Sequence, residues 1–159
     1  MRNMLEKLLP KVRIEQIIGD SQELVSKYIR REKPCIITME RVLIVDDSPL
    51  NRLALKRYLI ELGHEVVDMV ATAEEAMEKF AELQPTLVTI DQVLPKQNGT
   101  ALAKFINEYD RKNNRKTKLI IISSEPIRPS VKKTIQVDEY IIKPATLNKL
   151  ETAINRIRG

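Results

Sequence analysis

Cysteine and aromatic residues are scarce in this sequence of 159 residues. Cys35 is the only cysteine, so an intramolecular disulfide is excluded and a reducing, cytoplasmic environment is expected. Trp is absent and only two Phe occur, although 43% of the residues are apolar. The core of any folded domain must therefore be mainly aliphatic.

Long hydrophobic runs are also missing. No segment approaches the roughly 18 consecutive apolar residues that a membrane-spanning helix needs. Glu6 interrupts the apolar residues at the N-terminus, which argues against a signal peptide. We therefore expect neither a membrane span nor a secretory leader.

Charge of one sign does not dominate the chain. The net charge is +5, of which residues 1–40 contribute +2 (eight Lys/Arg, six Asp/Glu) and residues 41–159 contribute +3 (nineteen and sixteen). Nucleic-acid binding usually needs a basic stripe, and the densest basic cluster, at 27–33, still contains Glu32. A nucleic-acid partner is not expected.

From residue 41 onward the pattern alternates between apolar runs typical of buried strands and amphipathic segments typical of helices. Ser48 with Pro49 predicts a helix start, and Gly63 predicts its end. Such alternation favours parallel strands joined by right-handed crossovers. Strands are predicted at 41–46, 64–70, 86–91, 119–124 and 140–142, and helices at about 49–62, 73–83, 100–110 and 146–158.

The first forty residues differ in character and are predicted to be a separate, mainly helical extension before a domain at 41–159. Asp20 with Glu23 resembles a capping box opening a helix over about 21–32. Pro34 ends that helix, and residues 35–39 are a candidate extra strand. Three roles for the extension are open: a packing cap, a dimerisation arm, or a docking segment for a partner.

Polar residues end several of the predicted strands. Asp46 and Asp47 end the first strand, Asp91 ends the third, Ser123 ends the fourth and Lys143 follows the fifth. Because ligands of open α/β sheets bind at the carboxyl edge, these side chains are expected to converge there. Crowded carboxylates repel one another, and Mg²⁺ removes that conflict.

With a metal present, Asp91 could attack phosphorus and become an aspartyl phosphate. Lys143 would supply positive charge and Ser123 a hydroxyl hydrogen bond to the phosphoryl oxygens. Gly99 is expected to allow a tight turn in the loop after Asp91.

Residues 41–159 resemble the receiver domains of bacterial two-component response regulators, including the single-domain chemotaxis type. The resemblance rests on VDDS at 45–48, DQVLPKQNG at 91–99, ISS at 122–124 and YIIKP at 140–144. It implies a flavodoxin-like fold, with a doubly wound, five-stranded parallel sheet of strand order 2-1-3-4-5. A mainly helical extension would precede this sheet.

The resemblance also implies roles for the site residues. Asp91 would be the phosphoacceptor, and Ser123 and Lys143 would bind the phosphoryl group. Tyr140 would be an aromatic switch that turns inward when Ser123 moves. Lys143–Pro144 is often a cis bond in the family. The implied Mg²⁺ ligands are Asp46, Asp47, Asp91 and the backbone carbonyl of Val93.

The implied function is a phosphorylation-dependent signalling switch rather than an enzyme acting on an external substrate. Its partners would be a sensor histidine kinase or phosphotransfer protein and a downstream protein or a second copy. Two alternatives are open: an interaction module that signals without phosphorylation, and an Asp-nucleophile phosphatase. The phosphatase pattern places a second Asp two residues after the nucleophile, where this chain has Val93.

One stretch departs from the family pattern. Pro126 and Pro129 restrict the helix expected before the fifth strand to about 130–136. The surface through which such domains usually signal could therefore be short or displaced.

Overall fold

A parallel β-sheet with helices on both faces makes up the part of the chain that the computed structural model describes, residues 39–126, 129 and 133–158. Its strands and helices are β1 (Arg41–Val45), α1 (Pro49–Glu61), β2 (Glu65–Val70), α2 (Ala73–Leu83), β3 (Leu87–Asp91), α3 (Gly99–Asn113), β4 (Lys118–Ser123), β5 (Glu139–Ile142) and α4 (Leu147–Arg158). From β1 to β4 the strands and helices alternate along the chain.

The sheet order is β2-β1-β3-β4-β5 and all four strand pairs are parallel. This confirms the predicted doubly wound topology. Since the chain steps from β1 outward to β2 and then back past β1 to β3, the reversal point lies between β1 and β3. Asp46 follows β1 and Asp91 ends β3, so the fold brings both carboxylates to that point.

Alternating side chains of the strands fill two aliphatic layers. On one face Leu43 and Val88 pack with Phe80 of α2. On the other face Val42 and Ile44 pack with α1 and α4. β1, β3 and β4 are buried on both sides, which explains why their sequences are nearly continuous apolar runs.

Helix starts follow the predicted capping chemistry. The side chains of Ser48 and Thr72 accept hydrogen bonds from the third residue beyond them, at the start of α1 and α2. α3 is longer than predicted: it is capped by Asn98 and continues to Asn113. Arg111 and Lys112 lie in its last turn, where positive charge is favourable beside the helix carboxyl end.

α1 buries only part of its apolar surface. Leu55 and Leu59 are its buried residues, whereas Leu50 is 78% and Leu53 63% exposed. α1 therefore presents apolar side chains to solvent as well as to the core.

Some predictions fall on parts of the chain that are not described. The helix at 21–32 lies outside the described residues, as does the strand at 35–39 except for Met39, which is not in a strand. The helix expected at about 130–136 is only partly described: residues 133 and 134 form a turn, 135 lies in a bend and 136 is not helical. Among the described residues, no helix is long and apolar enough to span a bilayer.

Candidate functional site

Asp46 and Asp47 lie in the short loop between β1 and α1. Asp46 is 2% exposed, while Asp47 faces solvent. The Asp46 Oδ1 atom accepts a hydrogen bond from the Ser48 backbone N–H at 2.9 Å. Burial and the nearby charge of Asp91 nonetheless raise the pKa of Asp46 above its ordinary value. The folded protein thus holds this carboxylate in a setting that disfavours its charge.

Asp91 is the last residue of β3 and is 3% exposed. Its Oδ1 atom accepts a hydrogen bond from the Val93 backbone N–H at 3.1 Å. Its Oδ2 atom lies 2.6 Å from Lys143 Nζ. The predicted nucleophile is therefore held by the loop that follows it and by one cation.

Lys143 follows β5 and reaches across the sheet edge. Its Nζ atom is 2.6 Å from Asp91 Oδ2 and 3.7 Å from Asp46 Oδ2. Burial alone would lower the pKa of Lys143, but the hydrogen bond to Asp91 and the surrounding carboxylates raise it, so the ammonium is retained. The Lys143–Pro144 peptide bond is cis, as the resemblance implied.

The residues Asp46, Asp47 and Asp91, which we call the acid cluster, fit a divalent metal. One carboxylate oxygen from each lies within 4.8 Å of the others. Among the described residues, the ion pairs of these three carboxylates are all with the Lys143 ammonium, so the carboxylates are in excess. Hard oxygen ligands and excess negative charge suit Mg²⁺. The backbone of Val93 also lies at this position, since its N–H contacts Asp91.

Ser123 ends β4 on the strand next to Asp91, but its hydroxyl points elsewhere. The hydroxyl donates to the Glu125 carbonyl at 2.7 Å and accepts from the Glu125 N–H at 3.1 Å. Ser123 therefore lies at the predicted edge of the sheet, and its hydroxyl is hydrogen-bonded to the backbone of the loop that follows it.

Tyr140 lies in β5 opposite Ile121 of β4. It is half-buried and packs against the aliphatic layer that contains Phe80. Burial raises the pKa of its hydroxyl. The ring is therefore part of the core boundary.

Gly99 has a different role from the predicted one. Its φ is not positive, and the left-handed residue of the β3–α3 loop is Lys96, with φ 64°. A Cβ atom on Gly99 would lie 2.2 Å from the Asp91 carbonyl oxygen and 2.8 Å from Ile90 Cγ2. Glycine is required because α3 begins against the backbone of Asp91.

Two residues that hold the acid cluster were not singled out from the sequence. The Asn51 Nδ2 atom lies 3.2 Å from both carboxylate oxygens of Asp46. The Arg52 side chain donates to the carbonyls of Asp46 at 2.6 Å and Asp47 at 3.1 Å. Both lie in the first turn of α1, where side chains lean back toward the helix start. That direction is the signal by which they could have been found.

Known proteins share these features. The family model described as "Response regulator receiver domain" matches residues 42–155. The chemotaxis protein CheY of Thermotoga maritima is 32% identical over 120 residues, covering 74% of this chain and 97% of that protein. CheY of Bacillus subtilis is 32% identical over 118 residues, covering 73% and 95%.

Solved structures agree in fold. The CheX–CheY complex with BeF₃ and Mg²⁺ from Borrelia burgdorferi matches with a TM-score of 0.67 and 26% identity, covering 75% of this chain and 89% of that chain. CheY4 of Vibrio cholerae matches with a TM-score of 0.67 at 23% identity, covering 76% and 99%. Together with the match over residues 42–155, these likenesses show that the chain belongs to the response regulator receiver domain family of two-component signalling.

Proposed function

We propose that this receiver domain is a phosphorylation-dependent switch that accepts a phosphoryl group on Asp91. The observation that carries the proposal is the acid cluster with Lys143 at the carboxyl edge of the sheet. A relative captured with BeF₃ and Mg²⁺ supports it, because trifluoroberyllate resembles a phosphoryl group in shape and charge.

Asp91 is the nucleophile in this proposal. A carboxylate oxygen forms a bond to phosphorus while the bond from phosphorus to the donor breaks, and the donor leaves with that electron pair. The Lys143 ammonium, which lies 2.6 Å from Asp91 Oδ2, then pairs with the phosphoryl oxygens. Such transfers depend on position and charge balance more than on proton chemistry.

Mg²⁺ is the proposed cofactor, held by Asp46, Asp47, Asp91 and the carbonyl of Val93, and it would neutralise charge on the phosphoryl group. Asn51 and Arg52 fix the acidic loop by bonding to the Asp46 carboxylate and to the carbonyls of Asp46 and Asp47. The chain's own contribution is thus a prearranged set of oxygen ligands.

The proposed switch begins at Ser123. Its hydroxyl must leave the Glu125 backbone to reach a phosphoryl group on Asp91. Each lost hydrogen bond costs about 1 kcal/mol net, which a charge-assisted bond to a phosphoryl oxygen can offset. Movement of this loop changes the space around Tyr140 and biases the surface that a downstream partner or a second copy reads.

A histidine kinase or phosphotransfer protein is the proposed phosphodonor. A groove of about 570 Å³ lies between α1 and the Lys143–Pro144 turn, with Asp46 and Lys143 in its wall. The exposed Leu50 and Leu53 of α1 give a partner protein apolar surface to contact. We propose this side of the domain for donor docking.

Turnover of an external phosphate ester is not part of the proposal. Val93 stands two residues after Asp91 and is 69% exposed, so that position offers no general acid. Chemistry at this site is confined to the gain and loss of the protein's own phosphoryl group.

Mass spectrometry after incubation with Mg²⁺ and a small-molecule phosphodonor tests the proposal. We expect one added phosphoryl group on the wild type and none on Asp91→Asn. Asp68→Asn, which removes a carboxylate outside the acid cluster, should still be modified. Absence of an adduct on the wild type, with or without Mg²⁺, would refute the proposal and favour an interaction module that does not depend on phosphorylation.

A further inference from the structure

A second concave surface lies at the opposite end of the sheet from the acid cluster. It is a groove of about 610 Å³ between the carboxyl half of α3 and residues 133–138. Thr117 precedes β4 and Asp138 precedes β5, so the groove is at the amino ends of these strands. We call it the basic groove, because its lining includes Lys104, Arg111, Arg115, Lys116 and Lys133.

Three acidic residues also line the basic groove, but two have carboxylates that accept hydrogen bonds from residues at or just before the start of β4. Both carboxylate oxygens of Asp110 bond to Thr117, one to its N–H and one to its hydroxyl at 3.1 Å. The Asp138 Oδ2 atom accepts from the Leu119 N–H at 2.8 Å. Glu108 is the third and is exposed. Five cations against three carboxylates leave the surface positive.

Most of these cations form no ion pair with another described residue. Within residues 39–126, 129 and 133–158, the ion pairs involve other side chains, and none includes Lys104, Arg111, Lys116 or Lys133. Lys104, Arg111, Lys116 and Lys133 are exposed. They are therefore available to a ligand.

The walls of the groove are fixed. The Asn107 side chain donates to the Gln136 carbonyl at 3.0 Å and accepts from the Gln136 N–H at 2.8 Å. Ile135, beside it, is only 6% exposed. The Arg115 side chain donates to the Pro85 carbonyl at 3.2 Å and lies 5.7 Å from the ring centre of Phe80. A preformed groove loses little freedom when it binds.

We propose that the basic groove binds an acidic polypeptide segment of a partner protein. Unpaired, flexible lysines around a rigid concave wall suit carboxylates spaced along an extended peptide. A nucleic acid is the weaker fit, because the described residues that line the groove include no aromatic side chain for base stacking and their positive charge is local rather than a long stripe. This surface and the proposed phosphorylation site are at opposite ends of the sheet, so the two proposals can fail separately.

NMR titration of the full chain with a hexaglutamate peptide tests the proposal. We expect amide shifts concentrated on residues of the basic groove and binding that weakens as salt is added. The double variant Lys104→Glu, Arg111→Glu should weaken binding about tenfold or more. Lys56→Glu, Arg57→Glu makes the same charge change on α1 and should alter binding by less than about twofold.

Three outcomes would overturn the proposal: no binding to the wild type, shifts spread evenly over the surface, or equal weakening by both double variants. Tighter binding of a single-stranded oligonucleotide or an anionic vesicle at the same residues would also refute an acidic peptide as the ligand. Should the Glu variant fail to fold, Lys104→Gln, Arg111→Gln replaces it and should still weaken binding severalfold.

Discussion

The two ends of the sheet hold charged groups in opposite states of balance. At the carboxyl end, the three carboxylates of the acid cluster face the single ammonium of Lys143. At the amino end, the buried carboxylate of Glu40 is surrounded by donors from three other parts of the chain. At the carboxyl end carboxylates outnumber their cationic partners, whereas at the amino end two cations face the one carboxylate of Glu40.

Glu40 is 4% exposed and sits just before β1. Its Oε1 atom is 2.5 Å from Lys118 Nζ and 3.9 Å from Arg158 Nε, and its Oε2 atom accepts from the Thr86 hydroxyl at 2.6 Å. Burial alone would raise the pKa of Glu40, but the bonds from Lys118 and Thr86 lower it below its ordinary value. We call these four residues the Glu40 network.

The difference shows what each arrangement is for. A buried charge whose partners all come from the chain ties strands and helices together and needs nothing further. A carboxylate cluster with too few partners destabilises the folded state, and such sites persist where a ligand completes them. The excess of negative charge at the carboxyl end is thus an argument for a metal cation there.

The largest expected effect comes from crowding the carboxyl end. Gly99→Ala would place a methyl group 2.2 Å from the Asp91 carbonyl oxygen, so α3 or β3 must shift. We expect a loss of about 3 kcal/mol in the free energy of unfolding, together with slower phosphorylation of Asp91. Urea denaturation and the adduct assay measure these two effects.

Gly63→Ala is the matched control, because Gly63 has φ 82° but lies outside the site. It should cost about 1 kcal/mol through backbone strain and leave phosphorylation unchanged. Equal losses in stability and phosphorylation for both variants would contradict the steric role assigned to Gly99.

Breaking the Glu40 network should have the next largest effect. Glu40→Ala removes the acceptor to which Lys118 and Thr86 donate, and we expect a loss of about 2 kcal/mol in stability. Glu40→Gln keeps an acceptor for Thr86 and should lose less. Denaturant unfolding is the measurement, with Glu65→Gln as control.

Glu65 pairs with Arg41 at 3.6 Å, and both side chains are 41–50% exposed, so Glu65→Gln should change stability by less than about 0.5 kcal/mol. A Glu40 variant as stable as the wild type would show that the network is not a stabilising element.

The sequence predicted the carboxyl end far better than the amino end. Apolar runs such as TLVTID identify the strands in the sequence, and the strand order 2-1-3-4-5 that the resemblance implies then places Asp91 beside Asp46. The motifs that carry the resemblance lie in those same strand ends. Local patterns together with the resemblance were therefore enough to predict that these carboxylates lie together.

The Glu40 network could not be predicted in this way. Its members are far apart in the chain: Glu40 is 46 residues from Thr86 and 78 from Lys118. Each is an ordinary polar residue in its own segment. Only the register of β1, β3 and β4, which sets all three strand starts at one edge, brings them into contact.

Asp46→Asn tests the imbalance at the carboxyl end directly and should act in the opposite direction to Glu40→Ala. Because the pKa of Asp46 is raised, its contribution to stability is present below its ordinary pKa of 3.8 and is lost as pH rises through the raised value. At neutral pH without Mg²⁺, Asp46→Asn should therefore stabilise the protein by about 1 kcal/mol.

Thermal unfolding with and without Mg²⁺ distinguishes the two consequences of this variant. Wild type should gain stability from Mg²⁺, whereas Asp46→Asn should gain little. Asp68→Asn, outside the acid cluster, should keep the Mg²⁺ effect. If Asp46→Asn lowered the free energy of unfolding in the absence of Mg²⁺, the excess of carboxylate charge would not be destabilising the folded protein as we infer.

The smallest expected effect concerns His64, the only histidine of the chain, and it gives the two ends opposite responses to acid. His64 is 6% exposed, and its Nδ1 atom accepts from the Glu40 backbone N–H at 3.2 Å, so this nitrogen carries no proton. Burial and the charge of Arg158, with a smaller effect of Lys118, lower the pKa of His64 against the opposing influence of Glu40. Because its pKa is lowered, the contribution of His64 to the stability of the folded protein is fully present above its ordinary pKa of 6.5. That contribution is lost as the pH falls through the lowered pKa.

Wild type should accordingly lose about 0.5–1 kcal/mol between pH 7 and pH 5, whereas His64→Asn, which keeps an acceptor but cannot titrate, should show a flatter profile. Urea unfolding at each pH measures this, and the single histidine signal in NMR gives the pKa directly. Acidification protonates Asp46, which relieves repulsion between carboxylates, but it also charges the buried His64. In a plot of stability against pH, Asp46→Asn and His64→Asn should therefore each remove a different part of the pH dependence. A histidine signal titrating above pH 6.5 would show that the amino end tolerates the added charge and that the contrast between the two ends is smaller than the geometry implies.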